Sequence, residues 1–288
     1  FAALIVAGAI VASPLSHAQF GSRSLMVQAF EPYIMQRDMP LMVAILDLDE
    51  TQRPIVDMLL EDYMASFAAG IEKVRAQMQD AGSAAKEDLT ALLRPLNNWS
   101  RERQELYNRF AETMKSVLSP QQLDRWPAFE RAIRRERLLP QSEISGEGVN
   151  LIGIINDLAP PAEVRATAQP VIEAYEIRID GALTERQARE EENMGPMMDA
   201  MVTMDHQRAA ELQDRIMAAR VRLRDAQEIS IEEISTALGA DWGPRFRVIA
   251  MQRAFPEVFS PNSVIRLFDA ALEIADLTPE QRASITSL

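Results

Sequence analysis

Apolar residues recur every three or four positions from Thr51 onward, which is the spacing of one face of an α-helix. The first run contains Ile55, Leu59, Tyr63, Phe67, Ile71, Val74 and Met78, and after Gly82-Ser83 a second run contains Leu89, Leu92, Leu96, Trp99, Leu106, Phe110, Met114 and Val117. Arg103 is the polar exception, and Pro95 marks either a kink or the start of the second helix. The two runs predict a long helical hairpin.

Further long helical runs follow residue 149, and no alternation of apolar and polar residues bounded by turn signals predicts a β-strand. We therefore expect an all-α protein built of long helical hairpins. Its hydrophobic share of 47% is sufficient for a packed core.

Three segments share one helix-start signal, which consists of Leu, a capping residue, two variable residues and Gln. They are Leu48-Asp49 with Gln52, Leu118-Ser119 with Gln122, and Leu277-Thr278 with Gln281. In such a capping box, the capping side chain and the Gln side chain each accept a hydrogen bond from the other residue's backbone N–H. Each segment is predicted to begin a helix.

The sequence around these capping boxes repeats. "DLDETQRPIV" from Asp47 aligns without a gap on "DLTPEQRASI" from Asp276, and a looser copy begins at Asp157. Single capping boxes are common in unrelated helical proteins, so the prediction of a tandem repeat depends on this alignment and on matched spacings. The predicted organisation is helical unit 1 at 19–140, a linker at 141–148, helical unit 2 at 149–260, and the start of a truncated third unit at 261–288.

The first residues have the pattern of an export signal. An uncharged apolar run from Phe1 to Ala12 precedes Pro14 and the small-residue site Ser16-His17-Ala18. The run is too short to span a bilayer; a short buried helix or an anchor is the alternative. We interpret residues 1–18 as a signal peptide that lacks its start. We therefore expect a protein of the periplasm or cell envelope that is not transmembrane after signal removal.

Composition excludes several classes of function. The net charge is −13, which disfavours nucleic acid as a partner. The chain has no Cys, and His206 is the only His outside the signal. Disulfides, Cys-based zinc sites, a Ser-His-Asp triad and a multi-His metal site therefore cannot be assembled within one chain. We expect no enzymatic activity and no cofactor.

The capping boxes at Leu48 and Leu118, with "RERQELYNRFAETMKSVLSPQQLDRWPAFERAIRRE", resemble the LTxxQ-motif family of periplasmic proteins, which includes Spy-like and CpxP-like stress chaperones. The chain departs from the family pattern at Asp49, where the family has Thr, and at the second unit's cap positions, Ala159 and Gly239. The resemblance implies a tandem repeat of a Spy/CpxP-like helical unit. It also implies that the protein holds unfolded or envelope proteins without ATP and that it can form homo-oligomers.

Two sets of residues are candidate functional sites. Trp126, Phe129, Met197 and Met201 are candidate client contacts, with core packing as the alternative role. The other set is a Met-His cluster that Gly195-Pro196, predicted to end one helix and start another, would place at a hairpin tip. Its members are Met194, Met197, Met198, Met201, Met204 and His206. Thioethers and an imidazole suit Cu(I), but a core stripe or an adaptable hydrophobic surface would use the same residues.

These observations favour a non-enzymatic, exported, chaperone-like protein that binds other proteins. Two alternatives stay open. One is a structural or scaffold protein of the envelope built from the same hairpins. The other is a metal-binding stress protein, which depends on the Met-His cluster alone.

Overall fold

The structure is a computed structural model that describes residues 30–81, 89–259, 272 and 277–286. Within these ranges the regular structure is helical and contains no strand, which confirms the all-α class. The predicted signal peptide and most of the predicted third unit lie outside the described residues. None of the described helices combines the length and apolar composition needed to cross a bilayer.

The first group of helices forms a long hairpin with two flanking helices. Helices α2 and α3 pack against each other as the hairpin, and α1 packs against α4. Short 3₁₀ turns precede α1 and follow α4. The helices are α1 Met39–Leu46, α2 Gln52–Ala81, α3 Leu89–Ser116 and α4 Pro120–Leu138.

The second group has the same order of a short, two long and a medium helix. Helices α6 and α7 form its hairpin, α5 packs against α8, and α4 of the first group packs against α6. The helices are α5 Leu151–Leu158, α6 Ala162–Val202, α7 His206–Ala237 and α8 Gly239–Ala254. The short helices α9 Pro256–Phe259 and α10 Pro279–Thr286 follow.

The buried face of α2 agrees with the predicted stripe from Tyr63 to Val74 but differs from it at the start of the helix. Val56 and Leu60 are buried, whereas Ile55 is 41% exposed. The steps from Val56 through Leu60 to Tyr63 are four and three residues, which keeps these side chains on one side of the helix, while Ile55 lies about 100° away from Val56. The prediction for Ile55 was therefore wrong by one position.

The two irregular positions of the second apolar run, Arg103 and Pro95, both lie inside α3. The side chain of Arg103 is buried, its guanidinium lies 4.6 Å from the centre of the Tyr33 ring, and its Nη2 donates a hydrogen bond to the Tyr33 hydroxyl at 3.1 Å. A cation over an aromatic face is stabilised by the ring quadrupole. Pro95 lies inside α3, which begins at Leu89, so it does not mark the start of the helix.

Candidate functional site

The two capping boxes at Gln52 and Gln122 start α2 and α4. The backbone N–H of Asp49 donates to Gln52 Oε1 at 3.1 Å, and the N–H of Gln52 donates to Asp49 Oδ1 at 2.9 Å. At the second box the N–H of Ser119 donates to Gln122 Oε1 at 2.9 Å, and the N–H of Gln122 donates to Ser119 Oγ at 3.3 Å. The leucines before them, Leu48 and Leu118, are buried in the core of the first group.

The third capping box has the same local geometry at α10. The N–H of Thr278 donates to Gln281 Oε1 at 2.9 Å, and the N–H of Gln281 donates to Thr278 Oγ1 at 3.2 Å. Leu277 is half-buried. The side chain of Asp49, at the first box, has a lowered pKa, because Thr51 Oγ1 and the backbone N–H of Gln52 donate hydrogen bonds to its ionised form.

The first two capping boxes are also bonded to each other. Gln52 Nε2 donates to Gln122 Oε1 at 2.9 Å, and Gln122 Nε2 donates to Gln52 Oε1 at 2.8 Å. The same two nitrogens reach the carbonyls of Val117 and Asp47, each at 3.0 Å. We name this arrangement the glutamine pair; it joins the starts of α2 and α4. The sequence predicted the local bonds, but the contact across 70 positions depends on the packing of α1 against α4.

The aromatic candidates for client contact lie in the core. Trp126 is 3% exposed and Phe129 is 0% exposed. Both lie on α4, their ring centroids are 5.2 Å apart, and they pack with α1, α2 and α3. Neither ring is accessible to a client in the folded protein, so the candidate contact role is corrected to the alternative, core packing.

The Met-His cluster lies near a hairpin turn, but the turn is not where the sequence predicted it. Helix α6 continues through Gly195-Pro196 and ends at Val202, so the prediction that Gly195-Pro196 separates two helices was wrong. A proline costs one backbone hydrogen bond inside a helix, and the long contact of α6 with α7 offsets this loss. The turn lies instead at residues 203–205, before α7.

The side chains of this cluster differ in exposure. Met194 and Met197 are half-buried, Met201 is 52% exposed, and Met204 in the turn is 77% exposed with a backbone φ of 55°. His206 is exposed at the first position of α7. The side chain of Met198 lies outside the described residues. We name Met197, Met201 and Met204 the methionine tip.

The sequence did not reveal a buried ionic network in the predicted linker. Arg220 and Glu147 are fully buried, and Arg220 Nη1 lies 2.7 Å from Glu147 Oε1. Arg220 Nη2 lies 2.6 Å from Glu190 and 3.0 Å from Glu143. Arg186, which is also buried, lies 3.8 Å from both Glu147 and Glu190 and donates to the carbonyl of Leu138 at 2.7 Å. We name these two arginines and three glutamates the ionic network.

The ionic network binds the linker to the second hairpin. Gly146, with a φ of 89°, allows the turn that directs Glu147 inward, since other residues rarely adopt this conformation. The N–H groups of Glu143 and Ile144 donate to the Glu147 carboxylate, and Gln227 Nε2 on α7 donates to the carbonyls of Glu147 and Val149 at 3.2 and 2.8 Å. Residues 141–148 are thus packed against α6 and α7.

Burial changes the proton affinity of the ionic network. Burial raises the pKa of Glu190 and of Glu143 despite the attraction of Arg220, and it lowers the pKa of Arg186. Two guanidiniums facing three carboxylates leave an excess of negative charge in a region of low dielectric constant, which favours the protonated form of a carboxyl group. A charged cluster of this kind gave no signal in the sequence, because its members are far apart along the chain.

Two arginines of α4 form ion pairs with carboxylates of α6. Arg134 pairs with Asp180 and Arg135 pairs with Glu176 at 2.7 Å, so these two arginines connect the two groups of helices. Arg137, the last basic residue of α4, lies 4.3 Å from the centre of the Tyr33 ring. The described residues contain no group of three or more His, Asp or Glu side chains placed to hold a metal ion.

Comparisons with protein-family models, with curated proteins and with solved structures found no match to this chain.

Proposed function

We propose that this chain is a non-enzymatic, exported helical protein that binds other proteins, without ATP, through the methionine tip. The observation that carries this proposal is the exposure of Met201 and Met204, at 52% and 77%, at the end of a helix of 41 residues. Burial of Trp126 and Phe129 leaves Met197 and Met201 as the accessible candidates for client contact, and the exposed Met204 lies beside them in the methionine tip.

Methionine suits an adaptable binding surface. Its unbranched thioether side chain has several rotatable bonds, so it fits apolar groups of many shapes. The α6–α7 hairpin holds these side chains away from the core, since a helix of 41 residues is about 60 Å long. Partners of this surface are unfolded or envelope proteins that expose apolar side chains.

We also propose that the two groups of helices are tandem copies of the unit that resembles the LTxxQ-motif family. Each group has the order short, long, long, medium, and in each the short helix packs against the medium one. Both short helices end at a non-glycine residue in the left-handed conformation, Asp47 with a φ of 56° and Ala159 with a φ of 45°. The second copy has no glutamine pair because Ala162 and Trp242 stand at the positions that correspond to Gln52 and Gln122.

The envelope scaffold is the second candidate function, and one observation favours it. The two groups are fastened to each other by Arg134, Arg135 and the ionic network, while the large aromatic side chains of α4 are buried. A rigid protein of this shape needs no client surface. In the first function the methionine tip binds unfolded clients, whereas in the scaffold it binds none.

The test is suppression of aggregation of a chemically unfolded client by equimolar protein without ATP. We expect the double variant Met201→Ser, Met204→Ser to lose most of the suppression, because the thioethers supply the apolar contact area. Light scattering of the client measures the effect.

Met58 provides the matched control, since it is 61% exposed on α2, far along the chain from the methionine tip. Met58→Ser should suppress aggregation to the same extent as the unmodified protein. Equal activity of the methionine-tip variant and the unmodified protein would contradict the proposed surface, and no suppression by the folded, unmodified protein would favour the scaffold.

A further inference from the structure

A cleft of about 300 Å³ lies between the two groups of helices, near the C-terminal part of α4. This volume is at the lower end of the range of about 300–1,000 Å³ for small-molecule sites. One wall comes from the first group and the other from α6. The residues that line it include Tyr33, Tyr107, Glu130, Ile133, Arg137 and Glu191.

Arg137 lines the cleft, and no carboxylate of the described residues forms an ion pair with it. Within the described part of the chain its guanidinium forms no hydrogen bond or ion pair, and its only contact of note is the Tyr33 ring at 4.3 Å. Its Nε is buried without a hydrogen-bond partner. A buried donor without an acceptor costs free energy, which an incoming acceptor would recover.

The charges around Arg137 also favour an anion. Burial, together with the neighbouring guanidiniums of Arg103 and Arg134, lowers the pKa of Arg137 to about 10. Arg134 is already paired with Asp180, but Arg137 is not paired within the described residues. An oxyanion beside Arg137 would reduce the repulsion among these cations and accept charge-assisted hydrogen bonds.

The other walls restrict the ligand to one negative charge and an apolar body. The rings of Tyr33 and Tyr107 have centroids 5.1 Å apart, and Ile133 adds an aliphatic wall. Glu130 and Glu191 also line the cleft, and they would repel a ligand with several negative charges. Arginine binds planar carboxylates through two parallel hydrogen bonds.

We infer that this cleft binds a small molecule that carries one carboxylate on an aromatic or otherwise apolar group, with Arg137 as the carboxylate-binding residue and Tyr33 and Tyr107 as the walls. The inference is independent of the methionine tip. It concerns a different surface and a different class of ligand.

Benzoate is the probe, and benzamide is its neutral counterpart of similar shape. In a ¹⁵N NMR titration of the unmodified protein, benzoate should shift the Arg137 Nε–H signal until it saturates, and benzamide at equal concentration should leave it unchanged. The signal is assigned by its disappearance in Arg137→Lys. The shift should weaken as the salt concentration rises.

Isothermal titration of variants provides the second measurement. Arg137→Gln should bind benzoate about tenfold more weakly or worse, because it loses charge-assisted hydrogen bonds. Arg109→Gln, which alters an exposed arginine of α3 away from the cleft, should bind as the unmodified protein does. No saturable Arg137 shift with benzoate, or an equal shift with benzamide, would overturn the inference even if Arg137→Gln fails to fold.

Discussion

At the scale of single residues, the glutamine pair gives two side chains a local and a long-range function at once. Each amide oxygen accepts the N–H of its own capping residue, and each amide nitrogen reaches the other glutamine and a carbonyl of the opposite chain segment. All polar atoms of the two amides are therefore used. The capping part followed from the spacing of Leu, capping residue and Gln, whereas the pairing needed the packed fold.

This geometry predicts energetic coupling between Gln52 and Gln122, which are 70 positions apart. In a double-mutant cycle with Gln52→Ala and Gln122→Ala, we expect a coupling of about 1 kcal/mol in the free energy of unfolding, because the first substitution already removes the shared bonds. Urea denaturation measures each variant.

Gln169 is the control partner, since its amide bonds to Glu173 on its own helix. Gln52→Ala combined with Gln169→Ala should be additive to within about 0.5 kcal/mol. Additivity of Gln52→Ala and Gln122→Ala as well would show that the glutamine pair contributes nothing beyond local capping.

At the scale of helices, close approach of α2 and α3 depends on a glycine facing a tryptophan. A Cβ built on Gly70 would lie 2.2 Å from the ring of Trp99, which is nearly fully buried. Sequence periodicity placed Trp99, Phe67 and Ile71 on facing stripes. It could not show that the ring of Trp99 lies directly against the backbone of α2. In the second hairpin, periodicity likewise could not show that tertiary contact carries α6 through Pro196.

Gly70→Ala should therefore destabilise the protein by about 1–3 kcal/mol, although alanine is the better helix former, because the ring or the helix must move. Thermal unfolding followed by circular dichroism measures the change.

Gly181→Ala is the matched control inside α6, because a Cβ at Gly181 meets no atom within 4 Å. It should stabilise the protein by about 0.5–1 kcal/mol through helix propensity alone. A Gly70→Ala variant that is as stable as Gly181→Ala would contradict the tight contact.

At the scale of the whole molecule, the ionic network joins the predicted linker, α6 and α7. Its arginines and glutamates come from positions as far apart as Glu143 and Arg220, so composition and local pattern could not reveal it. The all-α class could be predicted from the helical periodicity of the apolar residues, while the way the two groups of helices are fastened could not. The same holds for the cleft, which exists only because α4 lies against α6.

Two arginines of α7, the buried Arg220 and the exposed Arg222, allow the stability contributions of a buried and an exposed ion pair to be compared. Arg220→Met should destabilise the protein by about 3–5 kcal/mol, since it leaves buried carboxylates without their main partner. Arg222→Met, which removes an exposed pair with Glu185 on α6, should cost at most about 1 kcal/mol. Urea denaturation at pH 7 compares the two variants.

The pH dependence gives this prediction a second measurement. Because burial raises the pKa of Glu190 and Glu143, the folded protein binds their protons at pH values where the unfolded chain has released them. Their contribution to the free energy of unfolding therefore rises as the pH falls from 7 toward the ordinary carboxyl range. Arg220→Met should make this rise in the free energy of unfolding larger. If Arg220→Met and Arg222→Met cost the same free energy at pH 7 and also at the lower pH, the ionic network would be contradicted.

Site-specific crosslinking tests the proposed client surface most directly. The chain has no Cys, so a single Cys introduced at position 201 or at position 58 can carry a benzophenone photo-crosslinker on an otherwise unmodified protein. With a chemically unfolded client, Met201→Cys should form crosslinks and Met58→Cys should form few, although the two positions have similar exposure, 52% and 61%. Equal crosslinking at both positions, or more at Met58→Cys, would contradict binding through the methionine tip.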